Sequence, residues 1–258
     1  MTTIQTHCAL RLGDNLAAVH FLRGLAKKYP DLHFRHAAQL CYVRQLVEVV
    51  CDLPNLQVVD ASTHKGHSWN LWKNADGFWE SHALKNDYAG HMLAFFAMMA
   101  ERMGLQSPFA KPEELLFDYP ALHKDNLPFP VEPFDALIVN SPPLSGQWQK
   151  GDGVALNTLV QSLSQRYRVV TTHPTRLNVL CTQNVMFSVT NIGQLSQLCR
   201  FIVMVSTGPS WPTFNVWNKD LELRLIFIDS ETLGLSKNTE QCQTVAQAER
   251  VLKVRGLL

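Results

Sequence analysis

The sequence has almost no excess of charge. Its 23 Lys and Arg stand against 22 Asp and Glu, a net charge of +1, so it offers no general attraction for polyanions or an anionic membrane. Nucleic acid is therefore not an expected partner, and any phosphate binding has to be local. The six cysteines (Cys8, Cys41, Cys51, Cys181, Cys199, Cys242) form no C-x-x-C pair and have no histidines at zinc-finger spacing. Reduced thiols in a cytoplasmic protein are the expectation. The opening MTTIQTHCALRLGD lacks a basic stretch followed by an apolar one, so no secretion signal is read there. Long apolar runs are missing as well. MLAFFAMMA at 92–100 falls far short of the roughly 20 residues that a membrane span needs.

Signature motifs are equally scarce. There is no G-x-G-x-x-G and no G-x-x-x-x-G-K-[ST], which removes the fingerprints of a dinucleotide oxidoreductase and a P-loop ATPase. No G-x-S-x-G elbow is present to support a hydrolase. No two aspartates lie two apart, so the D-x-D pair of a metal-dependent sugar transferase is missing. No metal site and no cofactor are expected.

What the sequence does contain is an alternation of beta-type runs and helical periodicity from end to end, the pattern of α/β units with parallel sheets. In the first half the pattern predicts strands near 6–11, 32–38 and 56–60 and helices near 14–29, 39–51 and 82–105, the last stopped by Gly104. Residues 107–134 carry six prolines and read as a linker. The rhythm then restarts, with strands at 135–140, 168–173, 184–189, 201–206 and 223–229 and helices near 153–166, 191–200 and 242–255. Asn191 is placed to cap the helix at 191, with Gln194 three residues on. The expected organisation is a domain over 1–106, a Pro-rich linker over 107–134 and a second domain over 135–258.

Open parallel sheets bind ligands at the carboxyl ends of their strands, and four polar loops follow the expected strands. The first is Gly13-Asp14-Asn15. The second runs from Asn140 and Ser141 to Gln147 and Trp148, and the third holds His173. The fourth is Ser206-Thr207-Gly208-Pro209-Ser210, where small residues, hydroxyls and N–H groups at a helix start suit a phosphate, with Pro212 in the first turn. An ordinary strand-to-helix turn uses the same residues. Asp14 has two readings as well, a helix N-cap or a carboxylate that takes a proton from an attacking hydroxyl. Spacing favours the cap. The WNLWKNADGFW segment at 69–79 holds three tryptophans, which suit either a sugar platform or a loop buried on the core.

Two consecutive Rossmann-like units, LGDNL…FLRGLAKKYPDLHF in the first, a helix from His82 to Leu105, and Ile192–Arg200 leading to Ser206-Thr207-Gly208-Pro209-Ser210-Trp211 in the second together resemble the GT-B glycosyltransferases. The likeness is to the heptosyltransferase-like group of glycosyltransferase family 9. That resemblance implies an α/β protein with two Rossmann-like domains facing a cleft, acceptor on the first and nucleotide-sugar on the second. The implied activity is metal-independent sugar transfer to a glycan, lipid-linked or protein acceptor. Asp14 matches the family's general base, flanked by Gly13 and Asn15 on the acceptor side. Thr207 and Gly208 match the turn that holds the donor diphosphate, with Ser206, Pro209, Ser210, Asn140, Ser141, Gln147 and His173 around it. The chain departs from the family at Ser206, often Asp there, and at Trp211–Pro212, often His. It also has Gln147 where a Lys or Arg is common, and the charge-assisted contact thereby lost is worth roughly 1.5–3 kcal/mol. A nucleotide- or glycan-binding protein without turnover, and a sugar-nucleotide epimerase of the same fold, are the alternatives.

Overall fold

The computed structural model describes residues 2–72, 78, 88–142, 148, 153–218, 221–229 and 238–258. The chain divides into two units, Met1–Ala121 and Leu122–Leu258. Gln147, His82 and the expected helix start at 82–87 lie outside the described residues.

The first unit runs β1 (Thr3–Cys8), α1 (Leu12–Lys28), β2 (His33–Ala38), α2 (Leu40–Val50), β3 (Leu56–Asp60), β4 (Trp69–Asn70) and α3 (Tyr88–Arg102). Its sheet is parallel in the order β3-β2-β1-β4. β1 ends three residues earlier than the sequence suggests, so Gly13, Asp14 and Asn15 stand inside the first turn of α1 rather than in a loop. The helix begins at Leu12 because Asp14, three residues after the cap position Arg11, accepts the Arg11 backbone N–H at 3.1 Å. Asp14 is therefore not the N-cap itself. α1 is the central helix: Leu16, Val19, Phe21, Leu22 and Leu25 are fully buried, and Phe21 stacks on Phe96 of α3 at 4.8 Å. Pro30 stops it as expected, the cap Tyr29 donating its N–H to Leu25 at 2.8 Å. α3 ends in a glycine turn. Gly104, with φ of +73°, donates to Glu101 and Leu105 donates back to Ala100, which satisfies two terminal carbonyls.

The Pro-rich stretch is packed. Phe109, Leu115, Phe117 and Tyr119 lie against the first unit, with Phe109 stacked on His20 at 5.0 Å and His20 Nε2 donating to the Glu114 carbonyl. The division between the units falls inside this stretch.

The second unit runs β5 (Phe134–Val139), α4 (Gly153–Ser164), β6 (Val169–Thr171), β7 (Leu180–Cys181), α5 (Val189–Ser196), β8 (Cys199–Val205), β9 (Leu223–Phe227), β10 (Thr239–Cys242) and α6 (Val245–Val254). Its six strands are parallel in the order β10-β9-β8-β5-β6-β7. One face, including Ile138, Phe201, Val203, Leu225 and Phe227, buries Leu159, Val160 and Leu163 of α4 and Ala248 and Leu252 of α6. Trp148 stacks on Phe227 at 4.7 Å and donates its indole N–H to Gln243.

Three expectations are corrected here. The run at 184–189 is not a strand. Asn184, Met186 and Phe187 donate to Cys181, Gln183 and Thr182, a local turn in which Met186 takes φ of +53° and is 90% exposed. The strand position beside β6 is filled by the two-residue β7 instead. The cap of α5 is Ser188, whose Oγ accepts the Asn191 N–H while Asn191 Oδ1 accepts the Ser188 N–H. The capping box thus sits three residues before the one expected, and the helix ends at Ser196, leaving Cys199 and Arg200 to β8. Pro212 lies inside a 3-10 helix (Gly208–Thr213), with Pro209 at its start.

Candidate functional site

Each sheet has one place where the chain stops adding strands on one side and crosses to the other. In the first unit this switch lies between β1 and β4, and in the second between β5 and β8. Loops that leave adjacent strands in opposite directions open a crevice there.

At the first switch, Asp14 is half-buried, and Trp72, just past β4, donates its indole N–H to the Asp14 carbonyl at 3.2 Å. Burial raises the Asp14 carboxyl above its ordinary value, although the Arg11 N–H opposes the shift. The direction is the opposite of what capping alone gives. The Asp14 charge in turn adds to burial in raising the Tyr88 phenol, and adds to it in pushing the Cys8 thiol up to about 12. Cys8 is thus held as a thiol.

Gly13 and Asn15 are buried. Asn15 Nδ2 donates to the carbonyls of Leu10 and Arg11 at 3.2 and 3.0 Å, which leaves Oδ1 to accept from His36 Nε2 at 3.2 Å. That fixes the His36 tautomer, so Thr6 Oγ1 donates to Nδ1 at 2.9 Å. Asn15 is a strut beneath the helix start rather than a group presented to a ligand. Thr6, His36 and Trp72 are the residues that reasoning from sequence missed. The first two meet only because the parallel register sets Thr6 opposite His36.

At the second switch, β5 and β8 pair Val139 with Met204, which brings Asn140 and Ser141 to the same sheet end as Ser206. Asn140 Oδ1 accepts the N–H groups of Thr172 and His173 at 3.2 and 2.8 Å, while its Nδ2 donates to the His173 carbonyl at 3.1 Å. Ser141 Oγ is 3.0 Å from Thr172 Oγ1. Asn140, Ser141 and His173 are thus one connected cluster, and Thr172 is its missed member.

The Ser206–Ser210 turn is more self-contained than its composition implies. Ser206, Thr207 and Ser210 are buried. Thr207 donates its N–H to Ser210 Oγ and its hydroxyl to the Val205 carbonyl, and Ser210 returns its hydroxyl and N–H to the Thr207 carbonyl. Pro209 has no N–H. The Gly208 N–H, at the first position of the 3-10 helix, is a donor that these contacts do not consume.

Among the described residues no three His, Cys, Asp or Glu side chains group as ligands for a metal ion, and no helix is long and apolar enough to cross a membrane.

Two parallel sheets of Rossmann-type strand order, one in each half of the chain, define the GT-B class of fold. Within that class the matches include heptosyltransferases. The structure is similar to E. coli heptosyltransferase WaaC with ADP-2-deoxy-2-fluoro heptose, with a TM-score of 0.54 and 11% identity over 98% of this chain and 99% of that one. It is also similar to E. coli ADP-heptose lps heptosyltransferase II, with a TM-score of 0.52 and 13% identity over 100% and 98%. The iron-containing dodecameric glycosyltransferase TibC from enterotoxigenic E. coli gives 0.54 and 11% over 93% of this chain and 62% of that one. At such identities the likeness establishes the fold. No protein-family model and no curated protein matches the sequence.

Proposed function

We propose that the protein is a glycosyltransferase that moves a sugar from a nucleotide-sugar to an acceptor hydroxyl, with the acceptor on the first unit and the donor on the second. The observation that carries this reading is the Asp14 carboxyl at the first switch point, held by the Arg11 N–H while Trp72 ties the Asp14 backbone carbonyl, with its affinity for a proton raised by burial. In this reading Asp14 takes the proton as the acceptor oxygen attacks the anomeric carbon, and the bond from that carbon to the diphosphate breaks. The departing diphosphate is met by the Gly208 N–H and the Asn140–Ser141–Thr172–His173 cluster, oriented groups that need little reorganisation as charge develops. Gln147 belongs to the same proposed donor wall.

A second reading, nucleotide-sugar or glycan binding without turnover, is favoured by one observation: the Thr207 and Ser210 hydroxyls are engaged by neighbouring backbone. One experiment separates the two. Melting temperatures are recorded with ADP-, GDP-, UDP- and CMP-linked sugars, ADP-heptose first because similar structures hold an ADP-linked heptose. A ligand at a hundred times its Kd adds about 2.7 kcal/mol. Asp14→Asn should keep the shift and lose turnover. A wild-type shift without turnover on any acceptor supports the binding protein, and no shift with any donor removes both readings.

A further inference from the structure

At the amino-terminal edge of β8 and β9, the end of the second sheet away from its switch point, a cavity of about 270 Å³ opens beside Trp217, Asn218, Arg200 and Glu222, with Cys199 and Leu221 adding apolar surface. Asn218 is 3% exposed, and its Nδ2 donates to Ser196 Oγ at 2.5 Å and to the Thr213 carbonyl at 3.0 Å. Both amide hydrogens are consumed, the amide cannot rotate, and Oδ1 is left as an acceptor that no hydrogen bond among the described residues uses. Such an acceptor calls for a donor from a ligand or from water. Across the same cavity Arg200 is held between Asp135 at 3.3 Å and Glu222 at 3.0 Å. The two carboxylates outweigh the one guanidinium, while a second carboxylate oxygen and further guanidinium N–H groups remain for hydrogen bonding. The Trp217 indole is braced edge-on by His123 at 5.4 Å, and its backbone N–H is tied to Asn215 Oδ1 at 3.1 Å. The apolar surface is therefore fixed before anything arrives.

We infer that this cavity is a second binding site, for one neutral sugar ring. A sugar hydroxyl both donates and accepts, which suits an acceptor at Asn218 and a carboxylate–guanidinium pair opposite it. A pyranose also offers an apolar C–H face for the indole. The volume lies just below the roughly 300 Å³ at which drug-sized pockets begin, room for one ring and not for a chain of them. With two carboxylates on Arg200, the site selects against an anion such as phosphate. The inference does not rest on the transferase reading, because the site shares no residue with either switch point.

Isothermal titration of the full chain with the methyl glycosides of glucose, galactose and mannose, and separately with inorganic phosphate, tests it. One glycoside is expected to bind at millimolar concentration, Trp217→Ala to abolish that binding, and Glu222→Ala, a surface change, to weaken it about tenfold. Titration with ADP should be unaffected by either variant. No binding of any glycoside, phosphate binding in its place, or affinity unchanged in Glu222→Ala would overturn the inference. If Trp217→Ala does not fold, the Glu222 variant decides alone.

Discussion

His36 donates from Nε2 to the side-chain oxygen of Asn15 at 3.2 Å, which couples β2 to the first turn of the helix that carries Asp14. On its other side the ring accepts at Nδ1 from Thr6 Oγ1, which needs a neutral imidazole, and burial keeps it so by pulling the His36 pKa down to about 3. Burial likewise holds His20 down to about 4.

Acid should therefore destabilise the first unit before its carboxylates titrate. Both histidines take a proton in the unfolded chain below about pH 6.5, but not in the folded one until about pH 3 and 4. The unfolded state binds more protons throughout that interval, so stability falls as pH falls, by about 1.4 kcal/mol per pH unit for each histidine. Urea unfolding at a series of pH values from 7 to 4 reads the slope. His36→Gln should flatten it by one proton's worth, and a stability constant from pH 7 to 4 would contradict the account.

Turnover, if Asp14 is the base, should depend on pH in the same direction for a different reason. Burial raises the Asp14 carboxyl, so the acid limb of the rate profile should sit above the ordinary carboxylate value, with activity lost as pH falls through it. Asp14→Asn should fold normally, since an amide oxygen still accepts the Arg11 N–H. A melting temperature at or above wild type with turnover lost across the pH range is the expected pair of results.

The close approach of α5 to the 3-10 helix after β8 should make Gly193 intolerant of any side chain. A Cβ there meets the Leu122 side chain and lies 2.9 Å from the Pro212 carbonyl oxygen, which belongs to backbone and cannot swing away. Gly193→Ala should cost about 1–3 kcal/mol, measured by thermal unfolding, with Gly153→Ala as a neighbour-free control.

A buried cation holds α1 against the end of α2. Arg23, 1% exposed, donates to Asp52 with both terminal nitrogens and to the Val49 carbonyl. Removing only the carboxylate strands the charge, so Asp52→Ala should destabilise by about 3 kcal/mol or more, while Arg23→Met, which removes the charge itself, should cost less. Chemical denaturation of the two variants decides the order.

The local chemistry of the chain was readable without coordinates wherever a short-range effect controls the outcome. The stop of α1 at Pro30, the turn at Gly104 and the parallel α/β class all follow from residues near in sequence. Where several local solutions were nearly equal in energy, packing chose among them. Val185 and Met186 carry strand propensity, yet that place beside β6 is held by Leu180 and Cys181, and Ser188 outcompetes Asn191 as the cap of α5.

The candidate site divides the same way. The sequence by itself determined that polar residues follow β5, β6 and β8 and that a Gly-Asp pair opens the first helix, because these depend only on residue order. The tertiary structure decided what those groups do. Strand register set Thr6 against His36 and so made Asn15 a strut. The return of the chain to β4 brought Trp72 to Asp14, and the surrounding burial reversed the sign of the shift that capping alone gives to Asp14. Desolvation sums over everything packed around a group, most of it distant along the chain, and so it cannot be read from the neighbours of Asp14 in sequence.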